Sequence, residues 1–176
     1  RERVLRALAF EDTDIVPYNI LLTAPAREKL VQYVGEGDLE QILGNHLCRV
    51  SGTGAGIINE ERPGFFRDRF GALWDRTIDQ DIGTPCEFPL ADGRLENYTW
   101  PDATDPGHFD GLDEAIERGK DRFLLFSFGF SLFERAWTMR GMEQLLIDMV
   151  TNEDFVHELM DQICEWDIAF VDRLLE

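Results

Sequence analysis

Residues 123–141 read FLLFSFGFSLFERAWTMRG. Phe123 to Phe128 is an apolar run of strand length, of the kind that suits a parallel strand covered on both faces. Gly129 ends it, and an aromatic-rich turn then opens a helix that runs to Gly141, ahead of a long amphipathic helix. A strand that stops at glycine and passes into a helix is half of a βα repeat. In an α/β barrel that junction presents side chains at the mouth, where barrel enzymes keep their chemistry.

Working outward, the same alternation recurs. Residues 1–10 read as a helix with Val4, Leu5 and Leu8 on one face. An acidic turn, 11–14, leads to a predicted strand over 15–21, which starts at or near Pro17 or lies at an edge there because proline gives the ladder no N–H. Ala26 to Val34 is helical with Gly35 as C-cap, and Asp38 caps a short helix from Leu39 to Leu43. His46 to Gly52 is a second strand, with His46, Cys48 and Val50 on one face and Leu47, Arg49 and Ser51 on the other. Asp110 caps a helix from Leu112 to Arg118 that Gly119 ends. Thr151 or Asn152 caps the last helix, along which Phe155, Leu159, Ile163, Trp166, Phe170 and Leu174 recur at helical spacing.

Residues 51–110 break the alternation. They are rich in Gly, Pro and aromatic residues, and the stretches 66–71 and 73–78 alternate like a two-stranded ribbon. Asp92-Gly93 marks a turn. The segment reads as a long irregular insertion, and long ordered loops are often functional. The class is therefore α/β with a parallel sheet. Only three core strands are visible, too few for a barrel of eight, and an open sheet of that size would leave both edges bare.

Composition narrows the function. A net charge of -18, from 35 acidic and 17 basic residues, repels phosphates, so neither nucleic acid nor an anionic membrane is expected as a partner. The 176 residues, 44% of them hydrophobic, suffice for one domain with its own core. Cys48, Cys86 and Cys164 form no disulfide framework and fit a reducing cytoplasm. No signal peptide or bilayer-length apolar run is expected. The chain opens on Arg1 and closes on Glu176 inside a predicted helix, and both ends read as cut.

Several residues are candidates for chemistry. Glu134, Arg135 and Trp137 follow the third strand and could wall a pocket for a flat or anionic ligand, Arg135 as anion partner and Trp137 as stacking surface. The alternative is a helix start with a packed tryptophan and two solvated charges, and for the charges solvation is preferred. Asn19, past the start of the first strand, is either a barrel-mouth group or a turn residue. Asp68, Trp74 and Asp75 could close over a ligand, although holding the ribbon together is the preferred reading. His46-x-Cys48 has zinc-like spacing and could be completed by Cys86 or Cys164. A buried histidine beside an apolar thiol is preferred, and no metal site is assigned. Gly52, Gly54 and Gly56 lack the G-x-G-x-x-G spacing of a phosphate loop and read as loop.

The stretches RERVLRALAFEDTDIVP, FRDRFGALWDRT, ADGRLENYTWPD and FGFSLFERAWTMRGMEQLLIDMVTNEDFVHELMDQICEW together resemble the uroporphyrinogen decarboxylase superfamily. They are most similar to its divergent bacterial branch of decarboxylase-like proteins and methyltransferases. The resemblance implies a (β/α)8 TIM barrel about twice this length, with residues 1–176 as the N-terminal part of a single barrel domain and 51–110 as a β-ribbon insertion. It implies either decarboxylation of tetrapyrrole acetate side chains, without a cofactor, or methyl transfer through a corrinoid. For methyl transfer, a zinc held by His-x-Cys and a distant Cys lies in the C-terminal half, outside these residues.

The carry-over is uneven. The decarboxylases follow the first V-P with an arginine-rich loop that grips carboxylates, suited to bidentate binding. Here Tyr18 to Ala26 holds no arginine. The carboxylate expected after the second strand is missing from 51–56, and the substrate-touching tyrosine corresponds to Trp137. The resemblance thus implies a corrinoid-dependent methyltransferase when complete, with a small-molecule or corrinoid substrate and a corrinoid protein as partner. Uroporphyrinogen decarboxylation and a non-catalytic tetrapyrrole- or corrinoid-binding module are the alternatives. No catalytic residue is assigned, no cofactor is expected within these residues, and they are expected to be inert alone.

Overall fold

The computed structural model describes residues 1–35, 37, 39–51, 57–126 and 129–176. The expected cap Asp38, the Gly52–Gly56 cluster and the strand end at Ser127 and Phe128 lie outside them. In chain order the elements are α1 Glu2–Leu8, α2 Ala24–Val34, α3 Leu39–Leu43, β1 Leu47–Val50, β2 Ile57–Arg62, β3 Phe65–Asp68, β4 Leu73–Asp75, β5 Thr84–Glu87, a 3-10 turn Pro106–Phe109, α4 Leu112–Gly119, β6 Phe123–Phe126, α5 Leu132–Arg140, α6 Met142–Thr151 and α7 Glu153–Leu175. The class is mixed α/β. The described strands form a two-stranded parallel sheet and a four-stranded antiparallel sheet, and no barrel closes among them. No described helix is long and apolar enough to cross a membrane. The chain divides into two compact units, Arg1–Ser51 with Gly111–Ser127 and Gly52–Asp110 with Phe128–Glu176.

In the first unit β1 and β6 run parallel, Leu47 beside Phe123 through Val50 beside Phe126. Their residues fall within the two segments that the sequence reading marked as strands, 46–52 with its alternating faces and the apolar run 123–128. α4 packs across both. Its close approach is set by Gly119, where an added Cβ would lie 2.5 Å from Cys48 Sγ and 2.8 Å from Leu124 Cδ2. The helix begins at Gly111, in the left-handed region at φ +75°, and no side chain caps it. The expected cap Asp110 is thus replaced by backbone geometry.

Residues 15–21 form no strand, contrary to expectation. Pro17 has no N–H to give, and side chains replace the ladder. The Asn45 amide accepts from the Ile20 N–H at 2.7 Å and donates to the Ile20 carbonyl at 3.1 Å, while the His46 N–H donates to the Tyr18 carbonyl at 3.0 Å. The parallel sheet therefore holds two strands, not three. The unit's buried apolar residues are few, among them Val4, Leu39 and Val50, while Phe10 is 99% and Val16 82% exposed.

The second unit holds most of the core. The expected ribbon is one hairpin of a larger sheet in the order β2-β3-β4-β5, antiparallel throughout, with Phe66 beside Trp74. Within the segment 51–110 four strands are described, two more than the expected ribbon, and after Glu87 the described residues add only the 3-10 turn Pro106–Phe109. α5, α6 and α7 pack on one another. Gly141, at φ +90° and in contact with the Phe88 ring, lets α5 stop and α6 start within one residue. Ala136, Met139, Leu145, Phe155, Val156, Leu159 and Ile163 meet Phe70, Leu90 and Leu95 in one cluster. The α7 face read from helical spacing is the buried one.

Arg140 fastens the far end of this core. Its Nε donates to Asp148 at 2.6 Å and its Nη1 to the carbonyls of Leu90 and Ala91. Burial alone would raise the Asp148 carboxyl, but hydrogen bonds from Arg140 and Gln144 together hold it below its ordinary value.

The close approach at Gly119 generates a prediction. Gly119→Ala places a methyl against Cys48 and Leu124, and overpacking of this kind costs about 1–3 kcal/mol. Urea unfolding of the variant should show that loss. An unchanged midpoint would mean that α4 does not sit this close to β1 and β6.

Candidate aromatic cavity of the second unit

Asp68 ends β3, and its carboxylate collects donors from three directions. The Ala72 N–H donates to Oδ1 at 2.9 Å across the β3–β4 turn, and Trp74 Nε1 donates to Oδ2 at 3.1 Å. Arg135 Nη1, from the first turns of α5, donates to Oδ2 at 3.1 Å, with both side chains only 9% exposed. The Arg135 guanidinium carbon lies 3.8 Å above the Phe70 ring centroid, a cation–π contact in a desolvated setting. Burial pushes the Arg135 guanidinium below its ordinary value, opposed chiefly by Asp68. Arg135 Nε, also buried, has no hydrogen-bond partner.

Around this pair lies a cavity of about 210 Å3. Its aromatic walls are Phe70, Trp74, Phe130, Trp166 and Phe170, and its polar lining comes from Asp68, Arg69, Arg76, Asp81, His108, Arg135 and Asp167. The rings brace one another. Phe70 meets Trp166 edge-on at 4.9 Å, Trp74 meets Phe130 at 5.3 Å, and Trp166 stacks on Phe170 at 5.3 Å. Trp166 Nε1 donates to the Pro101 carbonyl at 2.8 Å, which fixes that ring's orientation.

His108 and Asp167 are the cavity's titratable neighbours. His108 is fully buried against Trp166 and Phe170. Its Nε2 lies 2.7 Å from both Arg69 Nη1 and the Asp102 carbonyl, while Nδ1 has no partner. A guanidinium only donates and a carbonyl only accepts, so one neutral tautomer cannot satisfy both. Burial pushes the Asp167 carboxyl up, with Ser131, which donates to it at 2.5 Å, and Arg135 opposing.

The candidates named from sequence divide. Arg135 is buried rather than solvated, because Asp68 and the Phe70 face compensate its charge. Glu134 is exposed. Trp137 packs against the core cluster, 6.5 Å from the Trp74 ring, and does not line the cavity. Asn19 lies in the first unit, in a cleft with Arg27, Arg49, Arg118 and Arg122. Asp68 and Trp74 hold the ribbon and line the cavity at once, while Asp75 accepts from the N–H and hydroxyl of Thr77 within its own turn. His46 is occupied on both ring nitrogens. The Arg3 guanidinium faces Nε2, and the Tyr18 backbone meets Nδ1, with its N–H at 3.2 Å and its carbonyl at 3.3 Å. Among the described residues no three His, Cys, Asp or Glu side chains converge as metal ligands.

Sequence reasoning passed over Arg69, His108 and Asp167. His108 stands in the Pro-Gly-His-Phe turn of a long loop, and Asp167 interrupts an aromatic face between Trp166 and Phe170. Either was a readable signal of a polar group brought to an apolar wall. Comparison with models of known families, with curated proteins and with solved structures finds no match for this chain.

Two predictions follow from this geometry. Asp68→Ala leaves Arg135 as an uncompensated buried cation and should cost about 3–5 kcal/mol, read by urea unfolding; a loss below about 1 kcal/mol would place the pair in solvent. For Asp167, the folded value lies above the unfolded one. Its contribution to stability is full below the unfolded carboxylate range, near about 3.9, and is lost as pH rises through the raised value. Asp167→Asn should therefore flatten the pH dependence and gain stability at about pH 7 relative to the parent. An identical pH profile in the two proteins would contradict the burial of this carboxyl.

Proposed function

We propose that the chain is the N-terminal portion of a (β/α)8-barrel enzyme similar to the uroporphyrinogen decarboxylase superfamily, on its methyltransferase side. One observation carries the reading. β1 and β6 run parallel and in register, with α4, the helix that leads into β6, packed across both. A parallel pair joined by a connection that carries a covering helix is the repeating element of such barrels. Among the described residues this sheet has two strands, where such a barrel uses eight. The quoted sequence stretches supply the superfamily.

Methyl transfer is preferred over decarboxylation because the segment after Pro17 offers no guanidinium before Arg27. The Ile20 backbone there is held by the Asn45 side chain. The described residues fit neither cofactor of that reaction. Of the zinc-like pair His46-x-Cys48, His46 has both ring nitrogens engaged. The cavity of about 210 Å3 falls below the roughly 300–1,000 Å3 of drug-sized ligand sites, let alone a macrocycle. In this reading the zinc and the corrinoid-facing surface belong to other parts of the protein, a corrinoid protein is the partner, and no reaction step is drawn through these residues.

The product of the complete gene, given methylcobalamin and a thiol acceptor, is expected to consume methylcobalamin. Release of coproporphyrinogen from uroporphyrinogen would instead establish the decarboxylase. Tetrapyrrole or corrinoid binding without turnover of either would establish a non-catalytic module.

A further inference from the structure

We propose that the cavity of the second unit binds a single-ring aromatic monocarboxylate, its ring among Phe70, Trp74, Phe130, Trp166 and Phe170 and its carboxylate on the Nε edge of Arg135. The proposal goes beyond the superfamily reading and does not depend on it.

Size comes first. A cavity of about 210 Å3 falls below the roughly 300–1,000 Å3 of drug-sized ligand sites, room for one substituted ring and not for a tetrapyrrole. Shape comes next. Edge-on contacts between Trp74 and Phe130 and between Phe70 and Trp166 present ring edges and faces at steep mutual angles. A flat π-system can meet such walls by the offset and T-shaped contacts that aromatic groups prefer. An aliphatic ring of the same size gains the burial without those contacts.

The polar end is set by Arg135. Asp68 engages Nη1, at one corner of the guanidinium, and shares its oxygens with Trp74 and the Ala72 N–H. Nε is left buried with no acceptor. A buried donor without a partner is costly, and an arriving acceptor removes that cost. The side of a guanidinium that carries Nε is one that carboxylates engage through two parallel hydrogen bonds. The Arg135 guanidinium is a cation, which favours an anion over a neutral amide. The lining also carries Asp68, Asp81 and Asp167. Arg69 and Arg76 line the cavity beside them, so the three carboxylates are offset and the single unmatched donor of Arg135 is what specifies one carboxylate.

The test uses the wild-type chain with three probes: benzoate, cyclohexanecarboxylate and benzamide. Tryptophan fluorescence reports occupancy, since Trp74 and Trp166 line the cavity, and the thermal midpoint reports linkage. Benzoate should bind with Kd below about 1 mM and raise the midpoint, with each of the other two probes at least about tenfold weaker. Arg135→Lys keeps the charge but loses the fork and should weaken benzoate about tenfold. Phe130→Ala keeps both Asp68 and Arg135 while removing one ring of the cavity, and should weaken benzoate about threefold or more. Should Arg135→Lys fail to fold, the wild-type series and Phe130→Ala still decide. Equal affinity for all three probes, or no saturation by benzoate at about ten times that Kd, overturns the proposal. Benzoate binding without methyl transfer by the complete protein would overturn the methyl-transfer reading alone. Methyl transfer without benzoate binding would overturn this one alone.

Discussion

A guanidinium buried among aromatic rings must be matched by a carboxylate, and in the second unit that requirement falls on Asp68. The pair ties the end of β3 to the first turns of α5. It also fixes Trp74 through the same carboxylate oxygen and Phe70 through the face under the guanidinium. Removing either partner leaves the other charge desolvated, which is far costlier than losing an exposed pair. The sheet, the helical layer and the aromatic cavity of this unit all meet at that contact.

A core made only of apolar side chains would have closed the space. Here the ion pair needs room and cannot collapse onto itself, and the rings around it brace one another at angles that leave a void. Arg140 works differently at the opposite end of α5. Its donors are taken up by Asp148 and by two backbone carbonyls. Arg135 keeps one donor unmatched. That difference between two buried arginines on one helix separates a fastening from a site. The first unit is built otherwise, with few buried apolar residues and a parallel pair whose helix approaches as closely as a glycine allows.

Elements with strong periodicity were legible in the sequence. The α7 face from Phe155 to Phe170, the strand segments that become β1 and β6, and the Gly35 cap all follow from side-chain spacing and backbone freedom. The segment 15–21 misled because its composition suits a strand. What decides there is the missing proline N–H and an asparagine twenty-five residues away that takes the partner's place. The ribbon was visible only as far as its sharpest alternation. β2 and β5 flank it with weaker patterns, Glu-rich in one and holding a proline in the other. At the site, Asp68, Trp74 and Arg135 could be named, but the reversal of Arg135 from solvated to buried could not. Burial of a charge depends on a partner sixty-seven residues distant in the chain. His108 and Asp167 escaped for the same reason, since only the fold brings a loop histidine and a helical aspartate to one wall.

The account rests on direct coupling between Asp68 and Arg135, and a double-mutant cycle measures it. Asp68→Asn and Arg135→Met, singly and together, would be compared with the parent by urea unfolding at fixed pH. A coupling energy of about 1–3 kcal/mol is predicted, the range of residues that share a buried network. Additivity within about 0.3–0.5 kcal/mol would mean that the two charges do not meet, and the cavity built around them would not stand.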